Sequence, residues 1–198
     1  MSSKAKTPRR AWQRMLSGRR LDLLDPSPLD IEIEDIAHGL ARVARWNGQT
    51  TGEHAFSVAQ HCVVVEQLAV SLAPRLARTG RLAALLHDAP EYVIGDLISP
   101  FKAAVGIDYK DLEHRLLSAI HIRFSLPARP SSELTAIIKR ADTLSAYFEA
   151  TQLAGFSAGE ARRFFGMPPK GIKPPKLITL PARAAQQTFL DRFHQLAA

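Results

Sequence analysis

The segment Arg81-Leu-Ala-Ala-Leu-Leu-His-Asp-Ala-Pro-Glu91 places a histidine–aspartate doublet directly after a strongly apolar helical run. Polar side chains at the end of a buried helix need a partner or a ligand, and imidazole with carboxylate suits a divalent transition metal. A structural interpretation competes, because Asp88-Ala-Pro-Glu91 has the form of a capping box with proline near the first helical position. If the helix instead continues through Pro90, Glu91 shares the face of His87 and Asp88. The doublet by itself leaves a metal site and a helix cap both open.

Apolar residues recur at helical spacing on both sides of this segment, and no stretch shows the sustained apolar–polar alternation of a strand. The fold class predicted from this pattern is all-α, in a single domain of about six to eight helices. The predicted helices run over these segments: Ile33 to Arg45, Gly52–His54 to Leu72, Arg81 to Glu91, Tyr109 to Phe124, Ser132 to Leu153, a short helix from Ser157, and residues 182–197. A loop is predicted over 92–106, and a proline-rich segment over 167–181 precedes the last helix.

The chain has 198 residues, of which 46% are hydrophobic, so it can bury a full-sized core by itself. A bound metal ion is therefore expected to serve chemistry rather than folding. The single cysteine, Cys62, excludes an intrachain disulfide and is predicted to be a core residue. No apolar run approaches the roughly 18 residues of a membrane span, and the basic N-terminus lacks the apolar block of a secretory signal. We therefore expect a cytoplasmic protein.

The formal net charge of +7 is concentrated at the N-terminus. Residues 1–20 hold seven cations and no acid, and the rest of the chain has as many cations as acids. The cations of this segment are Lys4, Lys6, Arg9, Arg10, Arg14, Arg19 and Arg20. We interpret residues 1–20 as a loosely ordered basic N-terminal arm and residues 21–198 as the helical domain. Such an arm is usually solvated, so weak, salt-sensitive attraction to polyanions is expected, and specific nucleic-acid binding is not.

Two histidines lie upstream of the doublet, and spacing alone does not choose between them. His54 and His61 are seven residues apart on the predicted second helix, which is roughly 10 Å of helix. Metal ligands lie about 2.0–2.2 Å from one ion, so the two are not expected to bind the same ion. Downstream, Asp142 lies inside a long predicted helix, where aspartate is unfavourable. A metal ligand and a surface aspartate both fit the position of Asp142. Asp96 follows Gly95 in a predicted loop, so it could equally be a turn residue.

Three segments, in this order, resemble the HD superfamily of metal-dependent phosphohydrolases, and within it the bacterial 5′-deoxynucleotidases. The segments are Glu53-His54 with Ser57-Val58-Ala59 and His61; His87-Asp88-Ala-Pro-Glu91 with Gly95-Asp96-Leu97 and Pro100-Phe-Lys102; and Lys139-Arg-Ala-Asp142-Thr-Leu-Ser-Ala-Tyr147. The likeness covers about residues 41–155 and implies an HD-type helical domain. In this comparison His54 matches the family's ligand position, whereas His61 matches a second histidine that is not a ligand.

The resemblance implies a site for one divalent ion, often manganese or cobalt in such enzymes. The implied ligands are His54, His87, Asp88 and Asp142. Glu91 and Asp96 match the family's catalytic carboxylates, Glu91 for proton transfer and Asp96 for orienting the attacking water. Arg45 and Trp46 match a pair that meets the phosphate and the sugar, although Arg45 lies only nine residues before His54.

The reaction implied by the resemblance is hydrolysis of a phosphate monoester by metal-activated water, with a nucleoside 5′-monophosphate as the expected substrate. Four protein ligands leave open positions only on a five- or six-coordinate ion, so manganese, cobalt or iron is favoured over zinc, with magnesium also accepted.

Two alternatives stay open at this point. The first is another HD reaction, on a cyclic nucleotide or guanosine tetraphosphate, with a two-metal site that recruits His114 and His121. These two are seven residues apart on one helix, so they should not bind one ion together. The second is a non-catalytic nucleotide sensor, which would be expected to lose carboxylates, yet Glu91 and Asp96 are both present. A homodimer is implied by the resemblance alone.

Overall fold

The computed structural model describes residues 11–96 and 107–198, and for residues 107–109 it describes the backbone only. In these ranges the chain forms two short strands and eight α-helices: β1 (Trp12–Arg14), β2 (Arg20–Asp22), α1 (Ile33–Leu40), α2 (Val58–Leu72), α3 (Arg78–Leu85), α4 (Glu91–Ile94), α5 (Ile107–Arg123), α6 (Ser132–Gln152), α7 (Ala158–Phe165) and α8 (Ala182–Ala197). Short 3₁₀ turns cover Pro28–Asp30 and Arg45–Gly48. The predicted all-α fold class is confirmed. None of the eight described helices is long and apolar enough to cross a membrane.

β1 and β2 form an antiparallel hairpin, and hydrogen bonds connect the turn of this hairpin to α1. The backbone N–H and the hydroxyl of Ser17 donate to the carboxylate of Asp35 at 2.9 and 2.5 Å, and Leu21 is fully buried. The expectation of a loosely ordered arm is therefore corrected where the chain forms this hairpin, because its buried contacts order the strands. Residues 1–10, with four of the arm's cations, lie outside the described ranges.

α2 is the central helix, and it packs against α3, α6 and α8. Its sequence is apolar around most of its circumference, which predicts burial on several sides, and Val58, Ala59 and Val65 are fully buried. Cys62 is a free, buried cysteine, as predicted. Each fully buried valine or leucine contributes about 1.5–3 kcal/mol, so α2 is a rigid support for the side chains on its first turn.

A buried carboxylate joins α2 to two of its neighbours. Glu66 is fully buried and accepts from Arg81 Nε at 2.7 Å and from Arg192 Nε and Nη2 at 2.8 and 2.7 Å. Arg81 lies on α3 and Arg192 on α8, so one side chain links three helices. Loss of the Glu66 carboxylate would leave both arginines without their counter-charge, and breaking a buried pair in this way costs up to about 3–5 kcal/mol.

α2 begins later than predicted. Ser57 is its N-cap, and Ser57 and Gln60 form a capping box in which each side chain accepts the other's backbone N–H. The predicted start at Gly52–His54 is therefore wrong, and His54 lies in a bend-rich segment before the helix. His61, by contrast, lies in the first turn of α2 and is fully buried.

α1 ends earlier than predicted, at Leu40 rather than Arg45. Arg45 instead begins the short Arg45–Gly48 turn, which is joined to the segment before α2 by a 2.8 Å bond from the Arg45 N–H to the Phe56 carbonyl. Within this turn Trp46 and Asn47 have left-handed φ angles of 56° and 50°. Such angles are unfavourable for residues other than glycine and persist where surrounding contacts hold them.

Candidate metal centre

The histidine–aspartate doublet lies on the turn that joins α3 to α4. The helix predicted to reach Glu91 ends at Leu85, and residues 86–90 form the turn. α4 has Pro90 at its N-cap position and no side-chain cap hydrogen bond, so Asp88 does not cap it. The Nδ1 atom of His87 lies 2.9 Å from the Ala84 carbonyl. In the neutral ring this contact places the proton on Nδ1 and leaves the lone pair on Nε2.

His61 approaches the same turn from the first turn of α2. Its Nδ1 atom lies 2.6 Å from Glu149 Oε1, which in the neutral ring places the proton on Nδ1 and the lone pair on Nε2. That Nε2 atom lies 3.2 Å from Asp142 Oδ1 and 3.4 Å from Asp88 Oδ2. Asp142 projects from α6, which packs against α2, so the packing of these two helices sets the spacing of the site.

Four side chains therefore converge, and we name them the His–Asp cluster: His61, His87, Asp88 and Asp142. Their ligand atoms all lie within 4.8 Å of one another, close to the separation of about 4.4 Å between two ligands on opposite sides of one ion. The Nε2 atoms of both histidines are buried and make no hydrogen bond of good geometry, which is costly unless a ligand satisfies them. Two imidazole nitrogens and two carboxylates suit a divalent transition metal, so these residues fit such an ion.

The charges of the cluster depend strongly on one another. Burial and the Arg45 guanidinium oppose a charge on His61, but the surrounding carboxylates, led by Glu149, raise its pKa well above the ordinary value. Burial also opposes a charge on His87, and Asp88 raises the pKa of His87 well above its ordinary value. Metals bind the neutral imidazole. Metal binding here is therefore expected to release protons and to strengthen as the pH rises.

Glu149, on α6, lies behind the cluster and is fully buried. Its Oε1 atom accepts from His61 Nδ1 at 2.6 Å and from the Ser145 hydroxyl at 2.7 Å. Its Oε2 atom accepts from Arg45 Nε at 3.2 Å and from Trp46 Nε1 at 2.9 Å. Burial opposes its charge, but His61 and Arg45 lower the pKa of Glu149 far below the ordinary value. One carboxylate thus orients a histidine of the cluster and holds the Arg45–Gly48 turn.

Comparison with known proteins identifies the family of this chain. Residues 58–147 match the HD domain. The chain is 57% identical over 189 residues to an uncharacterized protein of Rhodobacter capsulatus, covering 95% of this chain and 96% of that protein. It is 30% identical over 171 residues to the uncharacterized protein YfdR of Escherichia coli, covering 85% of each. The chain belongs to the HD-domain family.

HD-domain proteins are metal-dependent hydrolases, so the family implies a divalent metal ion and supports a metal-dependent phosphohydrolase. The matched segment begins at Val58, so it contains His61 and excludes His54. Because His54 precedes the N-cap of α2 and lies outside the His–Asp cluster, we correct the first histidine of the site from His54 to His61. The other three predicted ligands are brought together: His87, Asp88 and Asp142.

Arg45 and Trp46, which were predicted to meet the phosphate and the sugar, contact other side chains of the protein. Arg45 Nη1 donates to Asp96 Oδ2 at 2.9 Å, and the two side chains are only 14% and 9% exposed. The Trp46 ring packs against Phe156 and Phe165, with centroid distances of 5.6 and 6.0 Å. Arg45 therefore forms ion pairs with two carboxylates, those of Asp96 and Glu149. Trp46 is half-buried against aromatic side chains.

Glu91, the other predicted catalytic carboxylate, is the first residue of α4 and is 1% exposed. Its backbone N–H donates to the Asp88 carbonyl at 3.0 Å, which places it on the turn that carries the doublet. The rest of the predicted HD segment, Leu97 and Pro100-Phe-Lys102, lies outside the described residues.

A cleft of about 530 Å³ opens beside the cluster between α5 and α6, and we call it the α5–α6 cleft. His87 and Asp142 of the cluster form part of its wall. His114 and His121 also line it, but among the described residues the group of converging ligand atoms does not include them. The cleft is therefore continuous with the HD site without adding a ligand to it.

Proposed function

We propose that this chain hydrolyses phosphate monoesters, with nucleoside 5′-monophosphates as substrates, at one divalent ion held by the His–Asp cluster. The observation that carries the proposal is the convergence of two histidine Nε2 atoms and two aspartates within 4.8 Å beside an open cleft. A closed structural site would leave no room for a substrate, whereas this one adjoins a cavity within the roughly 300–1,000 Å³ range of ligand pockets.

The proposed ion is manganese, cobalt or iron in preference to zinc, with magnesium also accepted. Four protein ligands fill a tetrahedral zinc shell, so open positions require a five- or six-coordinate ion. A bound divalent ion would offset the negative charge of the phosphate and lower the pKa of a water molecule. The hydrogen bonds of His61 to Glu149 and of His87 to Ala84 keep both Nε2 lone pairs available for such an ion.

The proton steps are assigned to two carboxylates of the same site. Glu91 is buried on the turn that carries the doublet, and we assign it the proton transfer to the leaving oxygen. Asp96 is assigned the orientation of the attacking water, because Arg45 holds its carboxylate at 2.9 Å on a nearly buried side chain. Both roles require the carboxylate to be positioned before substrate binds, which burial and the ion pair provide.

A panel of phosphomonoesters, including nucleoside 5′-monophosphates, tests this proposal in the presence of manganese or cobalt. The wild-type protein is expected to release phosphate, and His87→Ala and Asp88→Ala are expected to fold normally and to be inactive. His54→Ala is the matched control and is expected to keep wild-type turnover, because His54 lies outside the cluster. Turnover that survives in both doublet variants would refute the assignment, and no turnover with any ester would favour a nucleotide sensor.

A two-metal phosphodiesterase is the second candidate. It is favoured by the presence of His114 and His121 on the same cleft as His87 and Asp142. The buried Nε2 atom of His121 makes no hydrogen bond, which also fits a ligand role. Elemental analysis separates the two candidates, since one metal ion per chain supports the monoesterase and two support the phosphodiesterase.

A further inference from the structure

We propose that Lys139, together with the α5–α6 cleft, binds the substrate, with Lys139 meeting the phosphate and the cleft taking the organic part. This inference rests on the proposed function. It moves the phosphate contact from Arg45 to a residue of the α5–α6 cleft, and it identifies the ligand class as a phosphate monoester with a partly apolar organic group.

Arg45 is already committed to other partners. Its guanidinium donates to Glu149 at 3.2 Å and to Asp96 at 2.9 Å, and its side chain is only 14% exposed. Two anionic partners offset its single charge, so little attraction is left for a phosphate. Turning it toward a substrate would deprive the fully buried Glu149 and the nearly buried Asp96 of their cation, which is strongly unfavourable.

Lys139 is placed differently. It lies on α6 three residues before Asp142, so the two side chains occupy one face of the helix about one turn apart. Both line the α5–α6 cleft, and Lys139 is exposed and forms no ion pair with a described residue. A phosphate beside the cluster therefore lies within reach of an uncompensated ammonium group, which is a strong hydrogen-bond donor to phosphate oxygens.

The rest of the cleft wall suits an organic group, and it also carries a second cation, which attracts anions more weakly. Leu117 and Ile138 present apolar surface, Ser118 presents a hydroxyl, and Arg129 adds a second exposed cation. Asp142 is the acidic side chain among the described residues of this wall, and it already belongs to the His–Asp cluster. Apolar walls with a few convergent polar groups are typical of small-molecule sites, and this combination matches a nucleoside attached to a phosphate.

The first experiment compares Lys139→Gln with Arg140→Gln. The two variants remove the same charge from adjacent exposed positions of α6, but Arg140 does not line the cleft. Calorimetry measures the binding of manganese and then of inorganic phosphate to each manganese-loaded protein, and steady-state kinetics measures KM for a nucleoside monophosphate. Lys139→Gln is expected to weaken phosphate binding and raise KM about tenfold, as the loss of one charge-assisted hydrogen bond predicts. Arg140→Gln is expected to change both less than twofold, and neither variant to change manganese affinity.

The second experiment fills the cleft. Ala128→Trp places a large ring at an exposed position on the cleft, and Ala136→Trp places the same ring at an exposed position of α6 outside it. Ala128→Trp is expected to weaken binding of the nucleoside monophosphate at least tenfold and to leave inorganic phosphate binding unchanged. Ala136→Trp is expected to change neither.

Equal effects of Lys139→Gln and Arg140→Gln, or no phosphate binding to the wild-type protein, would overturn the role of Lys139. Unchanged nucleotide binding in Ala128→Trp would overturn the role of the cleft. Because phosphate binding is measured without turnover, these outcomes are separate from a failure of the proposed function, which would appear as bound phosphate and metal with no ester hydrolysed.

Discussion

Glu149→Gln is the substitution that most sharply separates a positioning role from a purely structural one. All four partners of this buried carboxylate donate to it: His61, Ser145, Arg45 and Trp46. A glutamine amide has one acceptor oxygen and one NH₂ group with two donors, so either orientation turns the NH₂ group toward N–H or O–H donors. The charge that compensates Arg45 and orients His61 is lost at the same time. Removing one member of a buried pair costs about 3–5 kcal/mol, which for a protein of this size lowers the melting temperature by roughly 6–20 °C.

The effect on the metal distinguishes the two roles. Loss of the partner that orients a metal-binding histidine typically weakens metal affinity about 10–100-fold. Glu66→Gln provides the matched control, because Glu66 is also fully buried and bound by two arginines but lies outside the His–Asp cluster. Thermal unfolding in chelator and calorimetric titration with manganese are carried out on both variants. Both variants are expected to lose a similar amount of stability, but only Glu149→Gln is expected to bind manganese more weakly. Equal manganese affinities in the two variants would refute the positioning role.

Further predictions concern the ion and the contacts around it. Chelation should abolish turnover yet leave the circular dichroism spectrum unchanged, since the apolar core does not need the ion; unfolding on chelation would contradict this. His87→Ala should lower kcat roughly a thousandfold, because several kcal/mol of charge stabilisation depend on the ion, and near-normal kcat would refute the site. Arg19 and Arg123 lower the pKa of Glu32, so its stabilisation is present above its ordinary pKa and is lost as the pH falls. Glu32→Gln should therefore cost under about 1 kcal/mol at pH 7 in urea unfolding, and this cost should decrease as the pH falls below the ordinary pKa of the carboxyl; a cost that does not decrease as the pH falls would contradict this. Trp46→Phe removes a hydrogen bond to a buried carboxylate and should cost about 1.5–3 kcal/mol, and an unchanged urea midpoint would show that the bond contributes nothing.

The helical fold follows from the sequence where apolar spacing and turn residues agree. Helices α5 (Ile107–Arg123), α6 (Ser132–Gln152) and α8 (Ala182–Ala197) lie within two residues of their predicted bounds, because serine caps, prolines and apolar periodicity point to the same limits. α2 begins later than predicted, because Ala55 and Phe56 extend the apolar pattern to the N-terminal side of its cap. The capping box of Ser57 and Gln60 was the available signal, and it would have placed His61 on the helix and His54 before it.

The network around Glu149 could not be derived from spacing. Glu149 is more than 80 residues from His61 and more than 100 from Arg45, so their contact depends on how α2 and α6 pack. A local signal did exist, since a glutamate inside the apolar run Ala146-Tyr-Phe-Glu-Ala150 must be buried and therefore paired. Which donors surround it is decided by tertiary structure alone.

Manganese titration of the wild-type protein, His61→Ala and His54→Ala tests the His–Asp cluster most directly. One ion per chain is expected in the wild-type protein and in His54→Ala, with the same affinity. His61→Ala is expected to bind manganese at least roughly 100-fold more weakly, because a ligand that lies 3.2 Å from Asp142 and 3.4 Å from Asp88 is missing. Normal binding by His61→Ala together with a defect in His54→Ala would contradict the assignment of the site.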